Sequence, residues 1–81
     1  MNNVNVIPIL SNNTDDGYST LIEINGLKIL LDCGIGKDFS LKGYEKHLET
    51  LINLSIILIS SSEFEYSGAL CYLVNILNFK V

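Results

Sequence analysis

The side chains that could do chemistry are concentrated in one polar segment, which directly follows the most apolar stretch of the chain. Residues 60–67 carry hydroxyl groups and two carboxylates, Glu63 and Glu65, placed two positions apart. Zinc prefers imidazole nitrogen, thiolate or a well-placed carboxylate, and this segment contains neither histidine nor cysteine. The donor types therefore argue against a catalytic metal site. A solvated loop in which Ser67 caps the next helix is the simpler interpretation.

The stretch before this segment predicts where the segment lies in the fold. Residues 56–59 are four consecutive aliphatic residues, a pattern typical of a strand that is covered on both faces. The polar segment then leaves the carboxyl end of a central strand, where open α/β sheets bind ligands. Asp32 is placed similarly, because it ends a predicted strand over residues 27–31. Since no cluster of metal ligands lies near it in the sequence, we expect Asp32 to anchor the adjoining loop.

Composition restricts the classes of function. The chain has 81 residues and is 48% hydrophobic, which allows one small core. With a net charge of −4 and only five Lys or Arg residues, it lacks the cations that grip a phosphate backbone, so any RNA contact is expected to come from elsewhere. No signal segment opens the chain, and no apolar run approaches the roughly 20 residues that span a bilayer. We expect a soluble intracellular protein.

The two cysteines, Cys33 and Cys71, lie on different predicted elements and in apolar surroundings. Two lone cysteines do not make a disulfide framework. We therefore expect both to be buried free thiols in a reducing compartment.

Turn residues and hydrophobic patterning predict the element order β-β-β-α-β-α, followed by the first residues of another strand at 79–81. Asn25-Gly26 lies between two aliphatic runs, which predicts a tight hairpin between strands over residues 18–24 and 27–31. Pro8 lacks the amide that a central strand needs, so the first strand, residues 4–10, is predicted at an edge of the sheet.

Two helices are predicted. The first begins at a Ser40 cap and runs to about residue 53, and its apolar face carries Tyr44, Leu48, Leu51 and Ile52. The second covers residues 68–77 and is apolar nearly all round, so it needs cover on more than one side. Eighty-one residues supply too little cover for it. The pattern therefore predicts part of a larger layered fold.

Four segments together resemble the amino-terminal end of the metallo-β-lactamase-fold nucleases of messenger-RNA 3′-end processing. They are residues 6–11, residues 21–34 ending in Leu-Leu-Asp-Cys-Gly, residues 57–60, and residues 68–74 beginning Gly-Ala-Leu. The resemblance covers nearly the whole chain and is strongest to the non-catalytic large subunit of the cleavage and polyadenylation specificity factor. It implies an αββα sandwich, of which residues 1–81 are the amino-terminal half and one partial domain.

Active members of that family carry the motif His-any-His-any-Asp-His just before Gly-Ala-Leu, and this motif helps to hold two zinc ions. Counted back from Gly68, the four ligand positions in this chain are Ser61, Glu63, Glu65 and Tyr66. None of them is the family's ligand. Asp32 matches an aspartate that supports the site in active members, but a supporting aspartate without its ligands does no metal chemistry.

The resemblance therefore implies a non-enzymatic scaffold subunit of the pre-mRNA cleavage and polyadenylation complex, located in the nucleus and working without a cofactor. Its expected partners are the nuclease subunit and other subunits of the complex, with RNA met only through the complex and no membrane involved. Two alternatives stay open. One is a metal-dependent nuclease or hydrolase of the same fold with ligands outside this segment, and the other is a small α/β interaction module unrelated to RNA processing.

Overall fold

A computed structural model describes residues 4–10, 17–36 and 39–77. Three strands come first, β1 (Val4–Pro8), β2 (Thr20–Ile24) and β3 (Leu27–Leu31). The remaining elements are helices α1 (Lys42–Lys46) and α2 (Leu48–Leu51), strand β4 (Ile56–Leu58), and helices α3 (Phe64–Ser67) and α4 (Leu70–Ile76). The predicted mixture of strands and helices is confirmed. The strand predicted at residues 79–81 lies outside the described residues.

The four strands form one sheet in the order β1-β2-β3-β4. The first three strands are antiparallel to one another, whereas β3 and β4 run parallel and are connected through α1 and α2. The edge position predicted for the first strand is confirmed. The central position predicted for residues 56–59 is wrong for the described part of the chain, because no described strand pairs with the far side of β4.

The Asn25-Gly26 hairpin forms as predicted. Ile24 pairs with Leu27, which leaves two residues in the turn. Both have positive φ, 51° at Asn25 and 84° at Gly26. This is the backbone geometry that matches the right-handed twist of the flanking strands, and Asn and Gly are the residues that adopt it most easily.

One face of the sheet carries the core. Leu21 and Leu30 are cross-strand partners on this face, and both are fully buried. Helices α1, α2 and α4 each place one fully buried side chain against them, namely Tyr44, Leu51 and Leu73. The helices therefore form a single layer on this side of the sheet.

The first predicted helix is broken in two. At His47 the backbone leaves the helical region, with φ −111° and ψ 15°, and this separates α1 from α2. The Ser40 hydroxyl accepts a 3.3 Å hydrogen bond from the Lys42 amide, but Leu41 occupies the N-cap position. Helices this short depend on packing rather than on intrinsic propensity. Ile52 lies beyond the end of α2 in extended backbone and is 50% exposed, so its predicted place on the apolar face is wrong.

The second predicted helix begins later than expected, at Leu70, and one separate turn, α3, precedes it. Ser67 is not its cap, because Ser67 lies within α3 and its hydroxyl donates to the carbonyls of Ser62 (3.1 Å) and Glu63 (3.2 Å). Cys71 is exposed rather than buried, since the described residues cover only one side of α4. None of the helices in the described ranges reaches the length and hydropathy needed to cross a bilayer.

The other face of the sheet is apolar and uncovered by the described residues. Side chains of paired residues share a face, so the pairing of Val6, Ile22, Ile29 and Ile56 defines one apolar row across all four strands. We call the aliphatic residues of this surface the open sheet face; they are Val4, Val6, Ile22, Ile24, Leu27, Ile29, Leu31, Ile56 and Leu58, and Pro8 and Thr20 lie on the same side.

Exposure along the open sheet face is high, reaching 64% at Val6, 56% at Val4 and 51% at Leu58. Single exposed aliphatic residues are ordinary on protein surfaces, whereas a contiguous apolar patch marks a surface that normally packs against something. The prediction that residues 56–59 are covered on both faces is therefore wrong for the described residues, where Ile56 and Ile59 are 40% and 38% exposed.

The hairpin turn provides a test of backbone conformation. A Cβ at Gly26 would meet nothing within 4 Å, so Gly26→Ala introduces no clash and acts only through the positive φ. We expect it to lower the free energy of unfolding by about 1 kcal/mol, measured by urea denaturation. Gly26→Asn is the matched control and should cost clearly less, because Asn tolerates this conformation. Equal losses for the two variants would contradict the turn geometry.

The open sheet face provides a test of association. We expect the 81-residue chain to sediment with a concentration-dependent coefficient, because its apolar rows, and the edge of β4 that no described strand pairs with, can associate with another copy. The double variant with Val6→Thr and Leu58→Thr should associate less. Thr favours strands, so the sheet is kept while apolar surface is removed. Asn5→Thr, on the opposite face of β1, should leave it unchanged. A monomeric chain with a cooperative thermal transition at all concentrations would show that this face needs no cover.

Candidate functional site at the strand ends

The parallel strands β3 and β4 bring two loops to the same edge of the sheet. Leu31 and Leu58 are paired at the carboxyl ends of the two strands. The next amide, that of Asp32, donates a 2.7 Å hydrogen bond to the Leu58 carbonyl. The predicted polar segment therefore begins beside Asp32, where sheets of this kind place their ligands.

Asp32 is buried, with 6% of its surface exposed, and its carboxylate is bonded to Ser60. One carboxylate oxygen accepts hydrogen bonds from the Ser60 amide (2.7 Å) and hydroxyl (3.0 Å), and the other accepts from the same hydroxyl (2.8 Å). The backbone of Asp32 has φ 62°, a conformation that Asp adopts more readily than most residues. Asp32 thus ties the end of β3 to the first turn after β4.

Main-chain hydrogen bonds fasten residues 64–66 across the strand ends. The amides of Tyr18, Cys33 and Ile35 donate to the carbonyls of Glu65 (2.7 Å), Tyr66 (2.9 Å) and Phe64 (3.0 Å), respectively. Gly34 lies in the middle of this contact, where a Cβ would overlap the Glu65 carbonyl. The glycine after Asp32-Cys33 is therefore required for the close approach of two backbones, as expected of such a glycine.

The four positions that the family motif assigns to metal ligands have different surroundings. The Ser61 hydroxyl accepts a 3.2 Å hydrogen bond from the Glu63 amide, and the Glu63 side chain is exposed. Glu65 is half-buried. The ring of Tyr66 stacks on the ring of Tyr18, with centroids 4.8 Å apart and planes inclined by 18°. The side chains at these positions are thus engaged mainly with neighbouring protein groups or with solvent.

The electrostatic environment keeps Tyr66 protonated. Partial desolvation raises the pKa of its hydroxyl, and the neighbouring Tyr18 hydroxyl and the carboxylates of Glu63, Asp32 and Glu65 raise it further. A phenolate surrounded by negative charge is costly, so the neutral phenol predominates at physiological pH.

Two buried titratable residues, Cys33 and Tyr44, lie next to the site. Burial raises the pKa of the Cys33 thiol to about 12, and the adjacent Asp32 carboxylate contributes in the same direction. The Tyr44 hydroxyl donates a 2.5 Å hydrogen bond to the Gly34 carbonyl. Burial also raises the pKa of Tyr44 well above its ordinary value. Both groups therefore stay neutral, and Tyr44 fixes the turn after Asp32 to α1.

The described side chains do not fit a zinc pair. Within residues 4–10, 17–36 and 39–77, no three His, Cys, Asp or Glu side chains are grouped closely enough to hold a metal ion. This includes Asp32, Glu63 and Glu65, the carboxylates that could have bound a hard cation. His47, the one histidine of the sequence, belongs to the junction of α1 and α2. We therefore derive no metal-dependent step from this site.

Three residues of the site could not be found from sequence patterns. Ser60 is the partner of Asp32, Tyr18 stacks on Tyr66, and Tyr44 holds the Gly34 carbonyl. Tyr18 begins a predicted strand and Ser60 begins the predicted polar segment, but neither position indicated its partner. Tyr44 was predicted to be buried, but nothing in the spacing indicated the partner of its hydroxyl.

Comparison with known proteins identifies the family. A family model described as a metallo-β-lactamase superfamily domain matches residues 21–81. Since this match covers most of the chain, the protein belongs to the metallo-β-lactamase superfamily. No curated protein and no solved structure gives a significant match. The fold class is thereby confirmed at the level of the superfamily, and the match includes β2, β3, β4 and all four helices.

The contact between Asp32 and Ser60 can be tested by unfolding. Asp32→Ala removes the acceptor of two part-buried hydrogen bonds from Ser60 and places Ala at positive φ, so we expect a loss of roughly 2 kcal/mol in urea denaturation. Asp32→Asn should cost less, because it keeps a carbonyl oxygen and tolerates the backbone. Ser60→Ala removes only the hydroxyl and should cost about 1 kcal/mol. If the Asp32→Ala and Ser60→Ala losses add fully in the double variant, the two side chains are not coupled.

The raised pKa of Cys33 predicts the response to alkaline pH. The folded thiol has a pKa of about 12 against an ordinary value of 9.0, so its contribution to stability is present below about pH 9 and is lost as the pH rises towards 12. We expect Cys33→Ala to flatten the alkaline fall in unfolding free energy. In the native protein, iodoacetamide should modify the exposed Cys71 much faster than Cys33. Equal rates would contradict the burial of Cys33.

Proposed function

We propose that this chain is the amino-terminal part of a non-catalytic scaffold subunit of the pre-mRNA 3′-end cleavage and polyadenylation complex. Membership of the metallo-β-lactamase superfamily over residues 21–81 supports the fold. The finer assignment rests on the resemblance of residues 6–11, 21–34, 57–60 and 68–74 to the large non-catalytic subunit of the cleavage and polyadenylation specificity factor.

One observation carries the non-catalytic part of the proposal. At the four positions where active members of the family hold zinc, this chain has Ser61, Glu63, Glu65 and Tyr66. Ser61 and Tyr66 offer only hydroxyl oxygens, and desolvation together with the negative groups around Tyr66 raises the pKa of its phenol. A dinuclear zinc centre needs several nitrogen, thiolate or carboxylate ligands in fixed geometry, and two glutamates do not replace them.

The hydrogen bonds of Asp32 also agree with a non-catalytic role. In active members the corresponding aspartate supports the metal site, whereas here both of its oxygens accept hydrogen bonds from Ser60. The carboxylate stabilises the loop through protein donors. We infer that protein donors stabilise this loop in place of a metal ion, which agrees with a scaffold role.

The open sheet face supports the sandwich architecture. Its rows are apolar on all four strands, and in an αββα sandwich this side packs against a second sheet at about 10 Å. We propose that the chain forms the amino-terminal half of such a sandwich. Its partners are the nuclease subunit and other subunits of the complex in the nucleus, and the net charge of −4 agrees with indirect contact to RNA.

Metal analysis tests the absence of catalysis. We expect far less than one zinc ion per chain after purification of the wild-type protein, measured by inductively coupled plasma mass spectrometry. Glu63→Ala with Glu65→Ala should leave this content unchanged, as should the control Glu45→Ala with Glu49→Ala, which removes two exposed carboxylates from α1 and α2. Stoichiometric metal that is lost in the first pair and kept in the control would overturn the proposal in favour of a metal-dependent hydrolase.

Co-purification tests the scaffold role separately. We expect the tagged protein to retain the nuclease subunit of the complex at a constant ratio through two purification steps. A variant with Glu63→Ala and Glu65→Ala should retain it equally, because the proposal assigns shape rather than charge to these positions. Metal-free protein that retains no subunit of the complex would instead favour a small interaction module unrelated to RNA processing.

A further inference from the structure

We draw no further inference here: the strongest candidate, the open sheet face on the side of β1–β4 away from the helices, carries none because no contact in the described part of the chain shows what covers it.

Discussion

The hydrogen-bonded contact between the turn after β3 and residues 64–66 is the constraint on which the described structure depends. It joins the sheet to the chain that enters α4, and Gly34 makes it possible because two backbones meet there without room for a side chain. The Ala69 amide extends the contact by donating a 2.8 Å bond to the Cys33 carbonyl. Each such hydrogen bond adds only about 1 kcal/mol to the free energy of unfolding, but a buried donor or acceptor left unpaired costs more. The two segments are therefore expected to unfold cooperatively.

The same contact brings protein partners to the side chains of the strand-end loop. A metal centre needs side chains that are free to converge on a cation, with supporting groups that orient them. Here the Ser61 hydroxyl accepts from the Glu63 amide, Tyr66 stacks on Tyr18, and Asp32 is bonded to Ser60. The loop lies at the carboxyl ends of parallel strands, where ligands commonly bind, and the side chains named above contact neighbouring protein groups. This contrast is the physical basis of the scaffold proposal.

Features set by local chemistry could be predicted from the sequence, and features set by distant contacts could not. Asn25-Gly26 determines its hairpin alone, and Pro8 excludes a central strand. No local sequence signal predicts the break between α1 and α2. The end of α2 also depends on a distant residue, because the Lys28 ammonium group on β3 donates hydrogen bonds to the carbonyls of Thr50 (2.9 Å) and Ile52 (3.2 Å). The spacing of a family motif predicted the four candidate ligand positions. The groups that surround these positions could not be predicted from that spacing, because they come from other segments of the chain.

The open sheet face has a consequence for the behaviour of the chain in a cell. Four strands with an uncovered aliphatic side present the kind of surface that molecular chaperones bind on newly made polypeptides. Such a surface, where the described residues leave it uncovered, favours aggregation and degradation until another layer packs on it.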